Sequence, residues 1–163
     1  MIVTEPLWSA GEIAHALGGR TSGRWLADGV AVDSREVIPG DLFVALPGTQ
    51  VDGHAFVAEA LEAGAAGALV SARDLAGIAT DDPRLIRVDD TAKALHALAA
   101  AARQRMSGRV AAVTGSAGKT SVKEALRRAL GRDALAHASA RSYNNHVGVP
   151  LSLARMPRAT RYA

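Results

Sequence analysis

The chain has 163 residues, 48% hydrophobic and 21% charged, which suits a globular protein of one ordinary domain or two small ones. Its formal net charge of +3 is not gathered into a block of like charges with interleaved aromatic residues, so nucleic acid is not an expected partner, whereas anionic small molecules are compatible ligands. The absence of cysteine excludes disulfide bonds, thiolate catalysis and cysteine–zinc sites.

The N-terminus, M-I-V-T-E-P-L-W, lacks the basic segment and the following apolar segment of a secretory signal. No apolar run approaches the ~20 residues that would span a bilayer. We therefore expect a cytoplasmic protein with no membrane partner.

Helices and strands alternate in the first half of the chain. Ser9 and Glu12 have the spacing of a capping box, which begins a short helix that Gly18-Gly19 ends. A helix is predicted over 54–63, and Asp52-Gly53-His54 before it is interpreted as a structural turn rather than a catalytic group. Apolar and alternating runs predict four strands, at 29–33, 41–46, 67–71 and 84–88. This order predicts a small mixed-sheet α/β domain over residues 1–82.

The second half of the chain is predicted to begin with a long helix over 91–106, which starts at Asp89-Asp90 and ends at Ser107-Gly108. Further on, the pattern predicts strands over 110–113 and 134–138, an amphipathic helix over 120–130, a polar loop at 142–146 and a last helix near Pro150. We therefore expect residues 83–163 to form a linker helix and the first part of a parallel-sheet domain.

A phosphate-binding loop is predicted between the strand over 110–113 and the helix after it. Residues 110–121 run V-A-A-V-T-G-S-A-G-K-T-S, so an apolar strand leads into a glycine-rich turn and then into a helix. Gly115 and Gly118 let successive N–H groups point at phosphate oxygens, and the helix adds the positive end of its dipole. Lys119 is expected to reach the β- and γ-phosphates of ATP, and the Thr120 hydroxyl to hold Mg²⁺.

The candidate nucleotide-binding residues are Thr114, Gly115, Ser116, Ala117, Gly118, Lys119, Thr120 and Ser121, and Lys119 is also the candidate catalytic residue. The spacing departs from G-x-x-x-x-G-K-[ST], because Val113 stands where the first glycine would be. For Lys119 the structural alternative is a solvated lysine at a helix start. For Thr120 and Ser121 it is simple helix capping, which is compatible with ligand binding at the same helix end.

Several separated motifs resemble those of the Mur ligases, in the family's order and over nearly the whole chain. They are D-S-R-E-V-I-P-G-D-L-F-V-A-L-P-G at 33–48, D-G-H-A-F-V at 52–57, T-G-S-A-G-K-T-S-V-K-E at 114–124 and Y-N-N-H-V-G-V-P-L-S-L at 143–153. The S-V-K-E and the paired asparagines favour the branch that uses D-alanyl-D-alanine. The sister branch, which adds the third amino acid, has a similar first domain but usually shows T-G-T-N-G-K-T-T.

The resemblance implies an ATP-dependent amide ligase of peptidoglycan precursor synthesis. Its small-molecule substrates would be UDP-N-acetylmuramoyl-tripeptide and D-alanyl-D-alanine, with ATP and Mg²⁺ as cofactors, and the protein would be a monomer. The peptide carboxylate would take the γ-phosphoryl group to become an acyl phosphate, which the amine of D-alanyl-D-alanine would displace.

The resemblance also implies substrate-binding residues. Asn144 and Asn145 match the family's paired polar site near the UDP-muramoyl substrate or the metal, with a turn-forming pair as the alternative. Ser34 and Arg35 match a segment that lies against the uridine end in relatives. There the alternative is a strand-end cap with a surface arginine.

Family members place a substrate domain first, an ATPase domain second and a Rossmann-like domain last. This chain matches the first domain and the start of the second, so we expect an N-terminal fragment that is inactive in ligation by itself. One alternative is a binding module that holds a UDP-sugar-peptide without turnover. Another is an unrelated P-loop NTPase or kinase, which would need an apolar strand ending in Asp after residue 121, and the sequence has none.

Overall fold

The computed structural model describes residues 5–48, 51–71, 75–139 and 146–163. Contacts divide the chain into two compact units, Met1–Leu98 (the first unit) and Ala99–Ala163 (the second unit). The division falls inside a long helix, α3 (Thr91–Arg105), whose start is capped by the Asp90 carboxylate, which accepts the Lys93 N–H at 3.0 Å. The domain limits expected from the sequence, 1–82 and 83–163, stay a prediction.

A four-stranded parallel sheet forms the centre of the first unit. Its strands follow chain order: β3 (Gly29–Ala31), β4 (Asp41–Val44), β5 (Gly67–Ser71) and β6 (Leu85–Val88). The central strands are apolar runs, as expected for a parallel sheet that is covered on both faces. All four predicted strands are confirmed, although β3 ends two residues early because Asp33 caps a 3₁₀ turn over Ser34–Glu36.

A separate two-stranded antiparallel sheet makes the unit mixed α/β, which confirms the predicted fold class. It joins β1 (Trp8–Ser9) to β2 (Leu26–Ala27), and the sequence pattern predicts neither strand. The next element, α1 (Ala10–Ala16), begins with the predicted capping box. The Glu12 N–H donates to Ser9 Oγ at 3.2 Å, and the Ser9 N–H donates to Glu12 Oε2 at 2.8 Å.

The helix predicted over 54–63 is divided into a 3₁₀ turn, Gly53–Phe56, and α2 (Val57–Glu62). The cause is the Asp52 side chain, which accepts the His54 N–H at 3.0 Å and tightens the first turn. The core of this unit then closes between α2 and the sheet, and its buried members include Ala31, Phe43, Val57, Ala60, Val70 and Leu85.

The buried side chain of His54 links the start of that turn to the end of β5. Its Nδ1–H donates to Asp52 Oδ1 at 2.6 Å, and its Nε2 accepts the Ser71 backbone N–H at 2.8 Å. This placement supports the structural interpretation of Asp52-Gly53-His54.

The second unit contains the end of α3 together with α4 (Lys119–Leu130) and α5 (Gly148–Ala154). Its buried residues include Ala99, Ala102, Met106, Leu151, Ala154 and Met156. Arg105 at the end of α3 donates to the Met156 carbonyl at 3.1 Å, beyond the end of α5. Among the described residues, none of the helices of either unit combines the length and apolar character that crossing a bilayer requires.

The prediction of strands over 110–113 and 134–138 is wrong, because the structure has no strand at either stretch. Among the described residues, pairing at these stretches is limited to isolated parallel bridges, in which Tyr162 pairs with Arg109 and with Ala136. The Arg109 N–H donates to the Arg161 carbonyl and the Ala111 N–H to the Ala163 carbonyl, each at 2.9 Å, so backbone bonds join 109–111 to 161–163 without forming a described strand. Gly108 permits this approach, because a Cβ there would lie 2.1 Å from the Arg161 carbonyl oxygen.

Candidate functional site

The phosphate loop (residues 114–121) turns sharply into α4. Gly118 occupies the N-cap position of the helix with φ of +76° and ψ of −5°, and Gly115 has φ of +149°. A side chain with a Cβ rarely adopts such angles, so the glycines are required by the backbone. No side chain caps α4 at Gly118, and neither Thr120 nor Ser121 is its N-cap residue. The loop therefore presents the positive end of a 12-residue helix to a ligand.

The Lys119 side chain folds back across this loop. Its ammonium donates to the Gly115 carbonyl oxygen, four residues earlier, and the residue is half-buried. This places the cation over the concave turn, where a phosphate group would be held. The arrangement does not support the alternative of a fully solvated lysine.

A cavity of about 630 Å³ opens beside the loop, within the second unit. Thr114, Gly115, Lys119 and Thr120 line one side of it. Other polar lining groups come from Lys123, His137, Ser139 and Ser152. The described lining contains two lysines and no Asp or Glu, so the cavity favours an anion.

Charge is divided very unevenly between the two units. Counted over the sequence, Ala99–Ala163 has 12 Lys and Arg against 2 Asp and Glu, a formal net charge of +10. Met1–Leu98 has 7 against 14, a net charge of −7. The overall +3 therefore conceals a strongly basic unit around the cavity, whose field attracts anionic ligands.

His137 joins the cavity wall to α5. Its Nε2–H donates to the Ser152 carbonyl at 2.7 Å. Burial lowers the pKa of His137 below 6.5, and the nearby Arg155 charge acts in the same direction, so the imidazole is neutral at pH 7. The Ser152 hydroxyl is buried and has no hydrogen-bond partner among the described residues.

These groups fit a phosphate chain better than they fit a metal ion alone. Mg²⁺ prefers carboxylates, phosphates and water as ligands, and Thr120 supplies one hydroxyl. The two carboxylates of the second unit, Glu124 and Asp133, do not line the cavity. Glu124 instead accepts from Arg127 at 2.9 Å, and this bond lowers the pKa of that carboxyl. Within the described ranges, no group of three or more His, Asp or Glu side chains could hold a metal.

The remaining predicted site residues lie elsewhere. Ser34 and Arg35 belong to the first unit, in the 3₁₀ turn after β3. Arg35 pairs with Asp33 through two bonds, of 2.9 and 2.6 Å, which raise the pKa of the guanidinium, and this geometry also suits the alternative of a strand-end cap. Asn144 and Asn145 fall outside the described residues.

Lys123, His137, Ser139 and Ser152 are lining residues that the sequence interpretation did not include. For Lys123 a signal exists, because it follows Lys119 by four residues and so shares its helical face. His137, Ser139 and Ser152 reach the cavity through tertiary structure alone, which no local pattern reveals.

Two family models match this sequence. Residues 26–103 match the Mur ligase family, catalytic domain, and residues 113–163 match the Mur ligase middle domain. The second match contains the phosphate loop and nearly the whole cavity lining. The chain belongs to the Mur ligase family.

Several curated relatives in this family are named UDP-N-acetylmuramoyl-tripeptide--D-alanyl-D-alanine ligase. The enzyme of Escherichia coli (strain K12) is 42% identical over 153 residues, which are 93% of this chain and 33% of the relative. The enzyme of Bacillus subtilis (strain 168) is 41% identical over 135 residues, which are 83% of this chain and 29% of the relative.

Solved structures of MurF are also similar to this chain. A crystal structure of MurF from Acinetobacter baumannii superposes with a TM-score of 0.80 at 32% identity, covering 99% of this chain and 35% of the other. MurF from Thermotoga maritima in complex with ADP gives a TM-score of 0.64 at 32% identity, covering 82% of this chain and 30% of the other. The chain thus spans about a third of the length of the relatives it matches.

Proposed function

We propose that this chain is the part of an ATP-dependent amide ligase of peptidoglycan precursor synthesis that binds the substrate and the phosphates of ATP. The reaction joins D-alanyl-D-alanine to UDP-N-acetylmuramoyl-tripeptide. The observation that supports it most strongly is the phosphate loop, with Lys119 folded over it, beside a cavity lined by cations and hydroxyls. The names of the relatives support the choice of the D-alanyl-D-alanine branch over the sister branch that adds the third amino acid.

The chemistry of such a ligase explains why a phosphate loop is needed. A carboxylate is a poor electrophile, and ATP supplies a phosphoryl group that converts it into an acyl phosphate, from which an amine can displace phosphate. The protein has to position the transferring group and neutralise its charge, more than to react with it. In this proposal, N–H groups of the loop and the Lys119 ammonium would bind phosphate oxygens, and the Thr120 hydroxyl would help to hold Mg²⁺.

We also propose residues that contact the other substrate, UDP-N-acetylmuramoyl-tripeptide. Ser34 and Arg35 are our candidates for contact with the uridine end, and Asn144 and Asn145 for the muramoyl part or the metal. Both substrates are small molecules, so the proposal needs neither nucleic acid nor a membrane, and we expect a monomer in the cytoplasm. Cell-wall biogenesis, and through it cell shape and division, would be the process served.

Calorimetric titration of the chain with ATP and Mg²⁺ tests the nucleotide part of this proposal. We expect Lys119→Ala to weaken binding at least about tenfold, since a charge-assisted bond to phosphate is lost. Lys93→Ala is the matched control, because Lys93 lies in the first turn of α3 with its side chain 87% exposed. Equal ATP affinity of Lys119→Ala and the unchanged chain would contradict the assignment.

A second function, a binding module that holds the UDP-sugar-peptide without turnover, is favoured by the closed core of the first unit. Titration with UDP-N-acetylmuramoyl-tripeptide separates the two. Binding of this substrate without any binding of ATP would favour the module. Binding of both supports the ligase part, and we expect binding rather than ligation from this chain by itself.

A further inference from the structure

α4 presents a second lysine to the cavity, and the proposed function gives it no role. Lys123 follows Lys119 by four residues, in the S-V-K-E of the loop motif, and both line the 630 Å³ cavity. The chain has only three lysines, and the third, Lys93, is in α3. The residue is therefore one of just two amines that a ligand in the cavity would meet.

The Lys123 ammonium is held in place by the backbone. It donates to the Ser139 carbonyl oxygen at 2.6 Å, across 16 residues of chain. Its aliphatic stem lines a smaller apolar cavity of about 50 Å³ together with Leu126, Ala136 and Tyr162. The residue is half-buried, whereas the Lys93 side chain is 87% exposed. A short, charge-assisted bond to a partly buried carbonyl restrains both the Lys123 side chain and the backbone at Ser139.

The carbonyl that accepts this bond ends the 135–139 segment, which forms part of the cavity wall. Backbone bonds join the segment to the neighbouring 161–162 stretch, at 2.9 Å from the Arg161 N–H to Leu135 and at 2.8 Å from the His137 N–H to Tyr162. The His137 side chain joins it to α5. The bond from Lys123 joins its end to the helix that begins at the phosphate loop.

We infer that Lys123 is a positioning residue that fixes the 135–139 segment against α4 and so sets the width of the nucleotide cavity. This inference rests on the proposed function, because it assumes that the cavity takes a nucleotide. Lys119 would contact the phosphates, and Lys123 would act through Ser139. The role requires a long side chain with a cationic donor at its end. Arginine at position 123 should therefore preserve the role, and methionine should abolish it.

Two measurements on the chain test this. The first is acylation of the three lysines by an N-hydroxysuccinimide ester without ligand, followed by peptide mass spectrometry. Lys123 should react at least about tenfold more slowly than Lys93, because its ammonium is engaged and partly covered. The second is the dissociation constant of ATP with Mg²⁺ for Lys123→Met, Lys123→Arg and the control Lys93→Met, with thermal melting of each.

We expect Lys123→Met to weaken ATP binding about tenfold, and Lys123→Arg to stay within about threefold of the unchanged chain, as does Lys93→Met. Equal acylation rates of Lys123 and Lys93, unchanged ATP affinity of Lys123→Met, or an equal loss in Lys123→Arg would each overturn the inference. If the unchanged chain binds no ATP, the proposed nucleotide site fails and the inference fails with it. Normal ATP binding by Lys123→Met defeats the inference alone.

Discussion

The two units differ in how their apolar residues are packed and in their charge. In the first unit the strands are covered on both faces, and Leu42, Phe43 and Leu69 are at most 1% exposed. In the second unit α4 has no buried residue, and its apolar stripe leaves Val122 48% and Leu126 37% exposed. The first unit is acidic and the second strongly basic. We therefore expect stability to depend mainly on the closed apolar core of the first unit, and ligand binding on the positively charged second unit.

The largest expected effect is on the core of the first unit. Phe43→Ala should lower the free energy of unfolding by about 3–5 kcal/mol, because a fully buried ring is removed and a cavity is left behind. Leu126→Ala, on the exposed stripe of α4, should cost about 1 kcal/mol or less. Urea unfolding of both variants measures the contrast. Similar losses would mean that the two units do not differ in the way described.

A backbone change in the phosphate loop should have the next largest effect. Gly118→Ala forces a Cβ into φ of +76°, at a cost of about 1–2 kcal/mol, although nothing lies within 4 Å of the added atom. The loop would relax, so ATP affinity should fall together with stability. Gly11→Ala in α1 is the matched control, because Gly11 also has open space but lies inside a helix, where alanine is favoured by about 1 kcal/mol.

A loss of ATP affinity in Gly118→Ala with no change in Gly11→Ala would confirm that the second unit depends on loop geometry. Unchanged ATP binding in both would contradict it.

The basic field of the second unit should make nucleotide binding depend on salt and on distant charges. Arg132→Glu, at an exposed position just after α4, should weaken ATP binding about two- to threefold at low salt and less at high salt, because Debye screening shortens the field. Arg24→Glu, exposed in the first unit, should change affinity less. Equal effects at the two positions, or no salt dependence, would show that the charge division has no part in binding.

The smallest expected effect concerns pH. Burial lowers the pKa of His137 in the folded chain below the 6.5 of the unfolded chain, so the unfolded state binds more protons as pH falls below about 6.5. Stability should therefore be full above that pH and decrease toward pH 5. Replacing the imidazole in His137→Gln, which keeps a donor for the Ser152 carbonyl, should reduce this slope in thermal melts. An unchanged slope would contradict the assigned shift.

Local sequence patterns were sufficient for much of the first unit. The capping box at Ser9 and the apolar runs of the sheet are short-range signals, and each has a direct physical cause. The β1–β2 pair was missed because strands of two residues have no periodicity. The division of the 54–63 helix depends on a single side-chain bond, from Asp52.

The second unit was harder to predict for a different reason. An apolar run such as 110–113 indicates a strand only if a partner backbone lies beside it, and among the described residues the backbone bonds of this run stop at Ala111. Likewise the bond between Lys123 and Ser139 joins residues 16 positions apart, so no local pattern contains it. The loop was predictable from sequence, whereas the wall of its cavity was not.

The most direct test of the central claim is protection of lysines by ATP. Acylation of the chain with and without ATP and Mg²⁺, resolved by mass spectrometry, compares Lys119 in the phosphate loop with Lys93, whose side chain is 87% exposed. We predict that ATP slows the modification of Lys119 and leaves that of Lys93 unchanged. Equal modification of Lys119 with and without millimolar ATP would contradict it.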